Sequence, residues 1–292
     1  MNLQNQVQHE DLNQTLTDAD VDLGALSHQG HVRENNEDSY LVCRFGRSLE
    51  NLITNLDDDL LEQSYTVTGY GMLVADGMGG VAGGEIASRL ALSKLVELVV
   101  DTSDWVLSLK QQTDVNIVLD RMTDRFLQID SAVRREADHD YTLQGMGTTL
   151  TVAAALGSDL LVGHVGDSRA YLLHGSTLKQ LTTDHTLAQA LIDAGVADPD
   201  DPASRSMRHV LTAAVGSLGQ EVEPQVQRFK LERGDQLLLC TDGLTETVED
   251  STIAHVLQEA VSAQTACQAL VDLALAGGGT DNVTVVVARF GD

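Results

Sequence analysis

The order of elements readable along the chain predicts an α+β fold built on antiparallel sheets. Three observations carry this. Two long stretches with a 3.6-residue apolar period are followed by short apolar runs at hairpin spacing between residues 148 and 182, and no long linker divides the chain. Of the 292 residues 42% are hydrophobic but only 3% aromatic, so the core must be mostly Leu, Val and Ala.

Residues 1 to about 22 are polar and acidic without periodicity and read as a mobile N-terminal arm. EDSYLVCRF (37–45) and YTVTGYGMLVAD (65–76) have strand character, and the Leu and Ile spacing of 46–64 between them predicts a short amphipathic helix. Apolar stripes predict helices over 84–101 and about 113–138. TTLTVAAAL (148–156), LLVGHVG (160–166), SRAYLLH (168–174) and TLKQLT (177–182) have the cadence of an antiparallel meander. Residues 184–215 read as helical, broken by GVADPDDPASRS (195–206), an exposed flap. Strands near 225–231 and 236–241, a helix over 251–275 and a last strand, NVTVVVARF (282–290), complete the order.

The net charge is −26, from 44 acidic residues against 18 Lys plus Arg. Such a surface repels nucleic acid and anionic lipid, which argues against a nuclease and against a membrane-surface protein. Cys43, Cys240 and Cys267 lie far apart, with no zinc-knuckle or disulfide spacing, so a reducing compartment is expected. The first 25 residues hold no signal-peptide pattern, and no run approaches the ~20 apolar residues of a membrane span; a cytoplasmic location is expected.

The chemistry concentrates at strand ends. LVADGMGGVAGGE (73–85) ends an apolar run in Asp76 and follows it with glycines. LLVGHVGD ends in Asp167, QLLLCTDG ends its run at Asp242, Asp38 opens SYLVCRF, and Asp281 opens NVTVVVARF. Neighbouring antiparallel strands bring the end of one beside the start of the next, so these five carboxylates can share one edge. Clustered carboxylates repel unless cations lie between them, and donors that are all hard oxygens select Mg²⁺ or Mn²⁺ over zinc. Gly77, Gly79 and Gly80 let the backbone turn sharply beside Asp76. Arg33, on the approach to Asp38, can grip an anion bidentately. His31, His164, His185 and His209 read as hydrogen-bonded structural groups, and Cys240 as a buried, inert thiol.

From about residue 24 to 291 the sequence resembles the bacterial form of the metal-dependent, 2C-type protein phosphatases. Seven motifs carry this in order: GHVRENNEDS (30–39), VADGMGG (74–80), GTTL (147–150), HVGDSRAYL (164–172), LTTDHT (181–186), CTDGL (240–244) and GGTDNVTVVV (278–287). The resemblance implies a four-layer α-β-β-α sandwich, with one phosphatase domain over 23–292 and a flap at about 184–210. It implies two Mn²⁺ or Mg²⁺ per chain. Asp76 would bridge them, the Gly77 carbonyl would bind one, and Asp242 and Asp281 the other. Glu37 and Asp38 would hold metal-bound water, Asp167 would serve a weaker third metal, and Asn282 would assist from outside the ligand set. Arg33 would bind the substrate phosphate, making Arg33, Asp38 and Asp76 the catalytic group. The implied reaction is hydrolysis of protein phosphoserine and phosphothreonine by a water bridging the two ions. A cognate Ser/Thr kinase would be opposed, and the chain would act as a monomer. Many eukaryotic relatives carry His where this chain has Met78, which cannot donate a proton, so the general acid has no assigned residue. The competing expectation is a catalytically weak module of the same fold that binds phosphoproteins; loss of Asp76 or Arg33 would favour it, and both are present.

Overall fold

Two five-stranded antiparallel sheets stack face to face in the computed structural model, which describes residues 21–50, 64–101, 115–198, 201, 206–217 and 222–291. In chain order the strands are β1 (Val21–His28), β2 (Ser39–Glu50), β3 (Ser64–Ala75), β4 (Gly77–Met78), β5 (Gly147–Thr148), β6 (Leu150–Leu156), β7 (Asp159–Val165), β8 (Arg169–His174), β9 (Thr177–Gln180), β10 (Gln225–Lys230), β11 (Gln236–Cys240) and β12 (Val283–Phe290). One sheet has the order β1-β12-β11-β8-β9, the other β10-β7-β6-β3-β2, and β4 pairs with β5 separately. The helices are α1 (Gly80–Asp101), α2 (Val115–His139), α3 (Leu187–Asp193), α4 (Asp242–Thr245), α5 (Asp250–Glu259) and α6 (Ala263–Ala276).

The central strands are apolar on both faces because each face meets a different layer. Tyr70, Met72 and Val74 of β3 point into the space between the sheets, where they meet Leu237 and Leu239 of β11 and Val286, Ala288 and Phe290 of β12. Leu73 and Ala75 of β3 instead pack under α1 and α2, against Ala87, Ala91, Phe126 and Ile129. On the opposite side, Val283, Val285 and Val287 of β12 lie under Ile253 and Leu257 of α5 and Leu270 and Val271 of α6. The result is the α-β-β-α sandwich.

Several sequence expectations are corrected here. The stretch 148–182 is not one meander: β6 and β7 form a hairpin in one sheet, β8 and β9 a hairpin in the other, and the chain crosses between sheets at Gly166–Ser168. Residues 46–50 and 64 of the expected helix are strand, paired in the β2–β3 hairpin; residues 51–63 lie outside the described residues. Only α3 is helical within the described part of 184–215, and residues 199–200 and 202–205 of the flap lie outside it. The expected helix over 251–275 is two, separated where Ser262 caps α6 in a reciprocal bond with Thr265. Val21 and Asp22, read as arm, belong to β1, where the Asp22 carboxylate accepts from the first amide of α6 at 2.7 Å; residues 1–20 lie outside the described residues.

Candidate metal centre

Strand register gathers the carboxylates at one end of the sandwich. Ser39 pairs with Ala75, so Asp38 and Asp76 are the next residues out on adjacent strands. In the facing sheet Cys240 pairs with both Val285 and Arg169, which sets Asp242 beside the residues preceding β12 and beside the Gly166–Ser168 crossing that carries Asp167. The two halves meet at Asp38: its Oδ2 accepts from Thr241 Oγ1 at 2.9 Å and Thr284 Oγ1 at 2.6 Å, both from the opposite sheet.

The electrostatics agree with that convergence. Burial raises the Asp76 carboxyl well above the usual range, reinforced by repulsion from Asp38, Asp242, Asp167 and Asp281. Burial likewise raises Asp38, Asp167 and Asp242, with further repulsion among the same carboxylates. Glu37 is raised by burial, opposed by Arg33. Arg33 donates from Nη2 to Asp281 Oδ2 at 2.5 Å, and this bond, with the nearby Asp76 and Asp242 charges, raises the guanidinium.

Two buried oxygens in the cluster, Asp38 Oδ1 and Asp242 Oδ1, have no hydrogen-bond partner among the described residues. Unpaired buried carboxylate oxygens cost free energy that a bound cation offsets, and every donor among the predicted residues is oxygen, so the set fits a hard divalent cation. Around it the backbone is close-packed. A side chain on Gly77 would lie 2.1 Å from the Gly84 carbonyl oxygen, and Gly79 has φ +118°, which brings the strand end into α1 without a wider loop. Asn282 ties the approach together: its Oδ1 accepts from Glu37 N and its Nδ2 donates to the carbonyls of Gln29 and Asn35, all at 2.8 Å.

All nine predicted site residues, Arg33, Glu37, Asp38, Asp76, Gly77, Asp167, Asp242, Asp281 and Asn282, therefore sit in or against one cluster. Sequence reading missed the hydroxyls of Thr241 and Thr284 that hold Asp38, and the guanidinium of Arg169, which grips Asp184 through Nε at 2.9 Å and Nη2 at 2.6 Å. The Thr in CTDGL was available as a signal; Thr284 in an apolar strand was a weaker one. The structural reading of the histidines holds at two of them: Nδ1 of His164 bonds to Thr151 Oγ1 at 2.9 Å and Nδ1 of His185 accepts from Gly166 N at 3.1 Å. Cys240 is buried, and burial pushes its thiol up to about 12, as an inert thiol requires. Among the described residues no helix is long and apolar enough to cross a membrane.

Comparison with known proteins comes to the same place. A family model described as Protein phosphatase 2C matches residues 46–275. The serine/threonine protein phosphatase PstP of Mycobacterium tuberculosis is 38% identical over 269 residues, covering 92% of this chain and 45% of its own, so this chain spans about half the length of that relative. Protein phosphatase PhpP of Streptococcus pneumoniae is 30% identical over 274 residues, 93% of this chain and 98% of its own. Among solved structures, the catalytic domain of PstP in complex with two manganese ions superposes with a TM-score of 0.72 at 34% identity, over 94% of this chain and 99% of that one.

Proposed function

The chain belongs to the protein phosphatase 2C family, and on that premise we propose that it hydrolyses phosphoserine and phosphothreonine in proteins at the strand-end carboxylate cluster, using two divalent cations. The observation that carries the reading is the pair of orphaned buried oxygens, Asp38 Oδ1 and Asp242 Oδ1, inside a cluster of like charges. Asp76 would hold both cations, the Gly77 carbonyl one, and Asp242 and Asp281 the other. Glu37 and Asp38 would hold water on the same ions, and Asp167 would serve a weaker third position. The donor set suits Mn²⁺ or Mg²⁺. When bound, the two ions supply Lewis-acid chemistry, acidifying a shared water and offsetting phosphoryl charge.

The chain's own residues do the rest. Arg33 presents donors at the rim, where a phosphoryl group would exchange for its Asp281 partner or share it. Thr241 and Thr284 hold Asp38 in one orientation by charge-assisted hydrogen bonds. Asn282, bonded to Glu37, Gln29 and Asn35, fixes the Arg33-bearing segment against the start of β12. Met78 contributes no proton. The partners are phosphoproteins and, in the cell, a Ser/Thr kinase whose products the enzyme reverses, with the chain acting as a cytoplasmic monomer.

The deciding test is hydrolysis of a phosphothreonine peptide with Mn²⁺, with Mg²⁺ and with EDTA, alongside Asp76→Ala and Asp242→Ala. Turnover is expected to require metal and to fall at least about a hundredfold in each variant. A wild type that binds Mn²⁺ yet leaves the peptide intact would instead make the chain a phosphoprotein-binding module of the same fold.

A further inference from the structure

A nitrogen donor reaches the rim of the carboxylate cluster. His209 Nδ1 lies 2.9 Å from Glu246 Oε1, and one ligand atom from each of His209, Glu246 and Asp242 fall within 4.8 Å of one another. Asp242 and Glu246 are one helical turn apart, with the Glu246 amide donating to the Asp242 carbonyl at 2.8 Å, so both carboxylates rise from the same side of α4. An ion pair accounts for His209 and Glu246 alone. It does not account for Asp242, already assigned to the two-cation centre, which brings a third ligand group beside that pair.

We propose that His209, Asp242 and Glu246 form a separate site for a borderline transition-metal ion of the Zn²⁺ or Co²⁺ type, beside the two-cation centre and sharing Asp242 with it. Imidazole is a poor ligand for Mg²⁺ and a good one for Zn²⁺, so the histidine gives this corner a metal preference that the all-oxygen cluster lacks. Zinc binds nitrogen and carboxylate oxygen at about 2.0–2.2 Å, which puts neighbouring ligand atoms roughly 3–3.5 Å apart. The His209–Glu246 separation of 2.9 Å is a hydrogen bond that a small shift of the imidazole would open to that length, and the His209 side chain is 62% exposed. Three protein ligands leave positions open for water or for a phosphoryl oxygen.

Two consequences follow. A bound ion fastens the flap residues at 206–210 to α4. It also draws on the carboxylate assigned to the two-cation centre, so Zn²⁺ and Mg²⁺ weaken each other's binding reciprocally. The inference needs Asp242 in the cluster, but not turnover.

The test uses the full chain, ¹⁵N-labelled and saturated with Mg²⁺, titrated with Zn²⁺ while the histidine ring nitrogens are followed by NMR and stoichiometry by calorimetry. One ring's Nδ1 resonance is expected to move, to be absent from His209→Asn and to move only at higher Zn²⁺ in Glu246→Gln. Wild type should take up one more Zn²⁺ than His209→Asn, and Glu246→Gln should bind it at least about tenfold more weakly. The proposal is overturned if the His209 Nδ1 keeps its proton at saturating Zn²⁺, or if wild type and His209→Asn take up the same number of ions. Loss of phosphopeptide hydrolysis in Mg²⁺ alone would count against the phosphatase reading and leave the Zn²⁺ result standing.

Discussion

At the scale of single residues, the centre depends on how Asp38 is held. Its Oδ2 takes hydroxyl protons from Thr241 and Thr284, and Thr284 in turn accepts from Ser27, which accepts from Asn36. Each donor in this chain is oriented by the next, so cutting it at Thr284 should be felt twice. Thr284→Val is expected to lower stability in EDTA by about 1–3 kcal/mol, read from urea denaturation, because a buried carboxylate loses a hydroxyl partner. The same variant should bind Mn²⁺ about tenfold or more weakly by calorimetry. His164 carries a second expectation. Burial, with repulsion from His185 adding to it, lowers its pKa from 6.5 to about 3. Between those values the unfolded chain binds a proton that the folded chain refuses, so this group costs stability as pH falls, by about 1.4 kcal/mol per pH unit. His164→Asn should therefore narrow the gap between the melting temperatures at pH 7 and pH 5; an unchanged gap would mean that His164 is protonated in the fold. The principal acids were legible in sequence because each stands at the start or the finish of an apolar run. The pairing of His209 with Glu246 was not, because nothing local in the sequence says that the two segments meet.

At the scale of elements, close backbone approach positions the site. A Cβ on Gly77 would meet the carbonyls of Gly84 and Glu37 at 2.1 and 2.7 Å, and a Cβ on Gly24 would meet the Ala263 and Gln264 backbone at 2.5 Å. Both substitutions push rigid backbone apart, so Gly77→Ala and Gly24→Ala should each cost about 1–3 kcal/mol or more. They should differ in their response to metal. Mn²⁺ at about 100 times its Kd should restore about 2.7 kcal/mol to Gly24→Ala, whose strain lies between β1 and α6, and markedly less to Gly77→Ala, whose strain lies at the centre. Equal rescue would show that the Gly77 turn does not shape the metal site. The element-level errors of sequence reading have a common cause. Hairpin cadence reports that β6 and β7 pair and that β8 and β9 pair, but it does not report which sheet each hairpin joins; the crossing is made by a few residues around Gly166, at φ +114°. The helical spacing of Leu residues in 46–64 misled at its ends for a related reason, since tertiary pairing in the β2–β3 hairpin overrides local periodicity.

At the scale of the whole molecule, apolar patterning alone showed antiparallel sheets with helices, and the four layers were legible through the family resemblance. Strands buried on both faces read as continuous apolar runs, and such runs do not reveal how the sheets stack. Charge is a different matter, because it acts over the whole surface and is known from composition. On the proposed function, a chain of net charge −26 would have to admit a phosphorylated, and so anionic, segment to a centre ringed by carboxylates. Cations held in the centre would offset the field locally, yet flanking residues of such a substrate would still meet the surrounding acidic surface. Phosphothreonine peptides with Lys or Arg on both sides should therefore show a lower KM than peptides with Glu or Asp there, at similar kcat, since the effect lies in encounter and ground-state binding. The Debye length shrinks from about 30 Å at 0.01 M salt to about 8 Å at 0.15 M, so the ratio of the two KM values should contract as salt is added. A ratio that holds constant across that range would locate the preference in direct contacts at the rim, with the exposed flap histidine and Arg33 as the first groups to vary.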